Sequence, residues 1–141
     1  MYITEKEIEI RYAETDKMGV VYHANYLIWF EVARTDFIEK AGFNYDDMEQ
    51  KGLISPVMDV SVQYKKSVTY PEKVTIRTWI DTYTKLKTIY AYEVVTELGE
   101  ISATGKTTHI VIQQGSDRPV RLDRIYPEWH EKYLTLSKKE D

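Results

Sequence analysis

The residues best placed to do chemistry lie in one run, Arg11-Tyr12-Ala13-Glu14-Thr15-Asp16-Lys17-Met18-Gly19-Val20-Val21-Tyr22-His23-Ala24-Asn25-Tyr26. Asp16 stands ahead of a Gly-containing loop, and the loop leads into a stretch that reads as a helix start. Such a start leaves backbone N–H groups unpaired and carries about half a positive charge, so the amides near His23 to Asn25 suit an oxyanion or a phosphate. Asp16 could then act as nucleophile or general base on a carbonyl whose oxygen points at those amides. The residue types equally suit a plainer account, in which Asp16 is a turn residue and Asn25 caps the helix. Both accounts stand at this level. The chain has no Gly-rich phosphate loop, nucleophile elbow or paired histidines at helical spacing. It has no cysteine, which removes disulfides, thiolate metal sites and a thiol nucleophile. His23, His109 and His130 are far apart in sequence, so no metal site is expected.

The elements that must hold this run show in the periodicity. Residues 7–12 alternate, with Ile8, Ile10 and Tyr12 against Glu7, Glu9 and Arg11, the pattern of a half-buried strand. Residues 24–41 change to three- and four-residue spacing, with Tyr26, Trp29, Phe30, Ala33, Phe37 and Ala41 on one stripe and Gly42 placed to end a helix. Leu27, Ile28 and Val32 widen that stripe past half the girth, so cover on several sides is expected. Residues 57–68, 74–83, 86–97 and 101–113 then read as strands rich in Val, Ile, Thr, Tyr and Trp. Val60, Val62 and Tyr64 share a face of the first of these. Turns fall at Tyr70-Pro71-Glu72-Lys73 and Glu97-Leu98-Gly99-Glu100. Residues 127–136 suit a short helix, and the charged residues 138–141 are expected to fray. One long helix and about five strands make an α+β arrangement in which the sheet curls around the helix.

Composition narrows the function classes. The chain has 141 residues, 43% of them hydrophobic, with 19 Lys and Arg against 23 Asp and Glu for a net charge of −4. That is enough for one core, and no linker or repeat divides it, so we expect a single domain over residues 1–141. The acidic balance offers no general attraction to nucleic acid. The longest apolar or aromatic run, Tyr26-Leu27-Ile28-Trp29-Phe30, is far below the roughly 20 residues that span a bilayer. No basic head followed by an apolar stretch marks a secretory signal. A soluble, cytoplasmic protein is expected, with neither nucleic acid nor membrane as partner.

The run from Arg11 to Arg34 resembles the signature of the hotdog-fold acyl-CoA thioesterases, in the 4-hydroxybenzoyl-CoA thioesterase-like branch. Asp16, Gly19, Val20, Tyr22, His23, Asn25, Tyr26, Glu31 and Arg34 stand at the matching places. Gln63-Tyr64-Lys65-Lys66-Ser67-Val68-Thr69-Tyr70-Pro71-Glu72 looks like the family's second-strand and turn region, and Ala103-Thr104-Gly105-Lys106-Thr107-Thr108-His109 like its last strand. The resemblance implies a hotdog fold, a curved antiparallel sheet wrapped around the long helix. It also implies homodimers joined sheet edge to sheet edge, with active sites shared between subunits, and homotetramers built from two dimers.

By the same resemblance Asp16 is the catalytic carboxylate, attacking the thioester carbon of an acyl-CoA or activating water, while the backbone N–H at His23 polarises the carbonyl oxygen. Tyr22 and His23 shape the site, and Asn25 orients the loop or a water. No cofactor is implied, because the thioester already carries an activated acyl group. The chain has Glu14 where many relatives have Asp, and residue 23 varies in chemistry between branches, which leaves the His23 side chain's role open. Lys65, Lys66 and Arg118 are candidates for the CoA phosphates, ahead of Arg121 and Arg124, with a solvent-facing charge the alternative for each. Glu31 reads as a second acid or a solvated helix residue, and His109 as a structural histidine. Two other functions fit the fold: an acyl-(acyl carrier protein) thioesterase, which needs a basic docking patch, and a non-catalytic acyl-CoA binding module. The acyl group itself stays open.

Overall fold

The computed structural model describes residues 1–138; of the tail expected to fray, residues 139–141 lie outside them. The chain runs β1 (Thr4–Glu9), α1 (Asn25–Lys40), α2 (Tyr45–Gln50), β2 (Leu53–Ile54), β3 (Val57–Tyr64), β4 (Lys73–Thr84), β5 (Lys87–Thr96), β6 (Ile101–Ile110), β7 (Ile112–Gln113), α3 (Leu122–Ile125) and α4 (Pro127–Leu136). Five strands form one antiparallel sheet in the order β1-β4-β5-β6-β3, and β2 pairs with β7 in a separate ribbon. The alternating patterns explain the sheet's two faces. Val74, Ile76, Thr78 and Ile80 of β4 face the same way as Tyr90, Tyr92 and Val94 of β5, and all are buried.

Helix α1 fills the inner face. Its stripe residues Tyr26, Trp29, Phe30, Ala33 and Phe37 are each 3% exposed or less. Phe30 stacks on Tyr92 of β5 with ring centres 4.3 Å apart, and Phe37 meets Tyr90 edge-on at 5.8 Å. Tyr26 reaches Tyr64 of β3 at 5.1 Å, so rings from successive turns touch strands across the sheet. The helix stops where Gly42 takes φ +100°, with Gly42 N–H donating to the Glu39 carbonyl and Phe43 N–H to that of Ile38, both at 3.0 Å. Those two bonds close the last turn, which only a residue tolerant of positive φ permits cheaply. The cover expected on several sides is present on one. Leu27, Ile28 and Val32 remain 42%, 50% and 40% exposed.

Several boundaries differ from the periodicity. The first strand ends at Glu9; Tyr12 begins a single turn of 3-10 helix, Tyr12–Glu14, and is 76% exposed instead of sharing the buried face of Ile10. Residues 65–68 leave β3, because Lys65 and Lys66 N–H groups both turn to the Ser102 carbonyl. The last strand breaks at Val111, beyond which Ile112 and Gln113 pair with Ile54 and Leu53. Helix α2 was not visible in the apolar spacing, being only six residues long. Its signal is the pair Asn44 and Asp47, where each side chain accepts from the other's backbone N–H, at 2.8 and 3.1 Å. The short helix expected at residues 127–136 is α4, with Pro127 at its first turn. No helix among the described residues is long and apolar enough to cross a membrane.

Candidate active site

The loop between Glu14 and His23 is closed by main-chain bonds. Thr15 bridges to Val21, Asp16 N–H donates to the Val20 carbonyl at 2.8 Å, and Gly19 N–H returns to the Asp16 carbonyl at 3.0 Å. Gly19 takes φ +81°, which lets the loop reverse within four residues. Asp16 Oδ1 accepts from Met18 N–H at 2.8 Å, so one carboxylate oxygen steadies the turn. Among the described residues Oδ2 has no partner. The turn role and the reactive role considered for Asp16 are therefore compatible, one for each oxygen.

The helix start differs in detail from the expectation. Asn25 is the first helical residue and makes no cap; its Nδ2 donates to the Glu14 carbonyl at 2.8 Å, and its backbone N–H to the Tyr22 carbonyl at 3.0 Å. The cap position is Ala24, which has no side chain to cap with. Among the described residues, the N–H groups of His23 and Ala24 donate to nothing. They sit at the positive end of a sixteen-residue helix with no acidic residue in its first turn. Two free donors at such an end suit an anionic oxygen.

A cleft of about 330 Å³ joins these parts, lined by Asp16, His23, Tyr26, Tyr64, Lys65 and Lys66 among others. Tyr64 O–H donates to the His23 carbonyl at 3.0 Å and fixes that residue from the sheet side. Tyr26 and Lys66 are tied through Ser102. Its Oγ lies 2.9 Å from the Tyr26 hydroxyl and donates to the Lys66 carbonyl at 2.6 Å. The Lys66 ammonium pairs with Glu100. That of Lys65 has no carboxylate partner among the described residues, which leaves it the freer of the two cations. Asp16 also borders a second, more open hollow with Tyr22 and Asn25. The structure thus places Asp16, His23, Lys65 and Lys66 on one cleft, and Tyr22 and Asn25 on the opposite flank of Asp16. Arg118 lies in the loop after β7 and lines neither.

The remaining candidates sort by burial. Glu31 is exposed on α1. Arg34 is 7% exposed, donating from Nε to the Tyr45 hydroxyl at 3.0 Å and from Nη1 to that of Tyr92 at 3.2 Å. The Tyr92 hydroxyl lies 2.6 Å from Thr107 Oγ1, which in turn lies 2.9 Å from His109 Nε2. His109 is buried, and burial first, then the nearby Arg34 charge, pulls its pKa down to about 4 despite a hydrogen bond with the Ser55 backbone. It is the structural histidine expected. An imidazole held neutral in the fold but titrating near 6.5 when unfolded binds more protons unfolded, so stability falls with acid through the window from about 6.5 to 4. We expect His109→Gln to flatten the dependence of the thermal midpoint on pH in that window. An unchanged acid limb would show that His109 is not the group responsible.

Sequence reasoning passed over Glu14 as a site residue, noting only its departure from Asp. It is 5% exposed and accepts from Trp29 Nε1 and from Arg11 N–H, each at 2.8 Å. Its distance in sequence from Trp29 hid the contact.

Comparison with known proteins gives the class. Residues 10–130 match the model of the thioesterase-like superfamily. The chain is 47% identical over 138 residues to a Bacillus subtilis (strain 168) protein named "Putative acyl-CoA thioesterase YneP", covering 98% of this chain and 100% of that one. A solved structure of DHNA-CoA thioesterase from Staphylococcus aureus superposes with a TM-score of 0.93 at 55% identity, covering 96% and 91% of the two chains. A 1,4-dihydroxy-2-naphthoyl-CoA hydrolase of Thermosynechococcus vestitus (strain NIES-2133 / IAM M-273 / BP-1) is 27% identical over 124 residues, 85% of this chain and 83% of that one. The architecture is the hotdog fold of thioesterases, one antiparallel sheet packed on one long helix. This chain belongs to the thioesterase-like superfamily.

Proposed function

We propose that the protein is an acyl-CoA thioesterase acting in the cytoplasm, hydrolysing its substrate to a free carboxylic acid and CoA. The observation that carries this reading is the shared cleft, which Asp16, with one carboxylate oxygen unpartnered among the described residues, and His23 both line. The thioester carbonyl oxygen points at the amides of His23 and Ala24. Asp16 then either attacks the carbon, giving a mixed anhydride that water opens, or takes a proton from the water that attacks. In both routes the C–S bond breaks, and the sulfur leaves as the thiolate and is protonated. Negative charge grows on the carbonyl oxygen, and donors already fixed at a helix end meet it without reorganising. His23 borders the reacting group, Tyr22 shapes the site from the second hollow beside Asp16, and Asn25 holds the loop. Lys65 and Lys66 take CoA phosphate at the cleft mouth. Arg118 lines neither hollow, which favours the solvent-facing charge over a phosphate contact for this residue.

The relatives named for 1,4-dihydroxy-2-naphthoyl-CoA make a bicyclic aromatic thioester the first substrate to offer, within a panel of short, long and aromatic acyl-CoAs. Thiol release from the panel tests the activity. Ligand retention without thiol release would favour a binding module, and faster turnover of carrier-protein esters would favour the acyl-(acyl carrier protein) reading. The acidic net charge of −4 gives no general attraction to an acidic carrier.

We also infer a homodimer as the working unit, with a tetramer of two dimers as the larger assembly. Strand β3 is a free sheet edge whose Val57, Met58 and Val60 are 44%, 58% and 42% exposed, and Leu27, Ile28 and Val32 of α1 are uncovered as well. An unpaired edge carrying exposed apolar residues invites pairing with a second copy. Ile28→Glu is expected to shift the protein to monomer in light scattering; an unchanged mass would place the interface elsewhere.

A further inference from the structure

A carboxylate withdrawn from water needs donors, and Glu14 has them on both oxygens. Oε1 accepts from Arg11 N–H at 2.8 Å, with Arg11 Nε 3.5 Å away, and Oε2 accepts from Trp29 Nε1 at 2.8 Å. The same residue's carbonyl accepts from Tyr22 N–H at 2.9 Å and from Asn25 Nδ2 at 2.8 Å. One residue thus joins the exit of β1, the end of the Asp16 loop and the first two turns of α1. Asp16 lies two residues beyond it, and the His23 N–H is attached to the carbonyl carbon of Tyr22. Glu14 lines neither hollow and touches no reacting atom.

We propose that Glu14 is a positioning residue for hydrolysis: its carboxylate and carbonyl fix the Asp16 loop against the amino end of α1, so that Asp16 and the His23 N–H converge on one carbon. This rests on the reading of Asp16 given above. The chemistry requires a carboxylate. Two N–H donors arrive on different oxygens, and only an ionised acid accepts on both; an amide accepts on one and presents an NH₂ to the other donor. The helix itself is held elsewhere, by Phe30 on Tyr92 and Phe37 on Tyr90, so loosening Glu14 disturbs the loop and leaves the fold.

The test uses purified full-length protein, a reactive acyl-CoA from the panel, and four variants: Glu14→Gln, Trp29→Phe, the two combined, and Asp16→Asn. Misplacing a reacting group by about 1 Å costs roughly 100-fold, so Glu14→Gln is expected to lower kcat about 10- to 100-fold with KM within about twofold. Trp29→Phe is expected to lower kcat less. The combined variant is expected to turn over faster than Glu14→Gln alone, because the amide then has only the Arg11 N–H to satisfy. Recovery on adding a second substitution is a signature that general loss of stability does not produce. The inference is overturned if Glu14→Gln keeps kcat within twofold of the parent, if its loss follows the unfolded fraction in a thermal melt, or if the combined variant shows no recovery. Should Glu14→Gln fail to fold, Trp29→Phe decides alone: reduced kcat at unchanged KM supports the proposal, and unchanged kcat overturns it. Asp16→Asn separates the two readings. Full turnover in that variant removes the site itself, whereas an inactive Asp16→Asn beside a fully active Glu14→Gln removes only the role of Glu14.

Discussion

Asp16→Asn is expected to lower kcat on a reactive acyl-CoA by about 10²- to 10⁴-fold, the range that a positioned acid, base or nucleophile supplies. The substitution is well matched to the geometry. Asp16 Oδ1 serves the Met18 N–H, and an amide oxygen can serve it equally, so the turn survives while the reactive oxygen is lost. The side chain is only partly buried, and no ion pair among the described residues depends on it, so the thermal midpoint should move little. Asp16→Ala removes the turn contact as well and should be no faster. Turnover is read with a thiol-reactive dye, which meets no background because the chain has no cysteine. Wild-type turnover in Asp16→Asn would end the assignment of this carboxylate, whatever the fold.

Much of this site was legible because its parts are neighbours in sequence. Asp16, Gly19, His23 and the start of α1 fall within a dozen residues, and a helix start offers free amides wherever it occurs. The stripe of Tyr26, Trp29, Phe30, Ala33 and Phe37 reported the long helix and its buried face correctly, since spacing of three and four has one common structural cause. What stayed hidden was set by pairings across the chain. Nothing near Ile112 says that it will leave β6 for Ile54, nor does anything near Glu14 say that Trp29 will donate to it. Asn25 illustrates the limit at short range. Its type and place suited a cap, yet the loop's closure carried the Glu14 carbonyl within reach, and the side chain bonds there instead. Leu27, Ile28 and Val32 mark the opposite case. Their apolar character was plain in the sequence, while the chain's own fold leaves them uncovered.

Gly105→Ala is expected to destabilise the fold by about 1–3 kcal/mol, through overpacking at a place where the sheet backbone meets a ring of the helix. A Cβ there would lie 2.5 and 2.6 Å from Cε2 and Cζ of Phe30 and 3.0 Å from the Ser61 carbonyl oxygen. Phe30 cannot swing aside freely, because it is fully buried and its ring is stacked on Tyr92 at 4.3 Å. Gly105 is paired to Tyr92 on one side and Val62 on the other, so the strand is pinned as well. The strain must therefore pass into α1. Phe30 lies one turn beyond Tyr26, so a displaced ring carries the amino end of the helix, and with it the His23 amide, away from Asp16. The thermal midpoint should fall by roughly 3–10 °C for a chain of this size, and kcat should fall at temperatures where the variant is still folded. Phe30→Leu shortens the obstructing side chain, so the combined variant should lose less stability than the two single losses added together. Strict additivity, or a Gly105→Ala protein as stable as its parent, would mean that the sheet yields at β6 and that the helix is not the element under load.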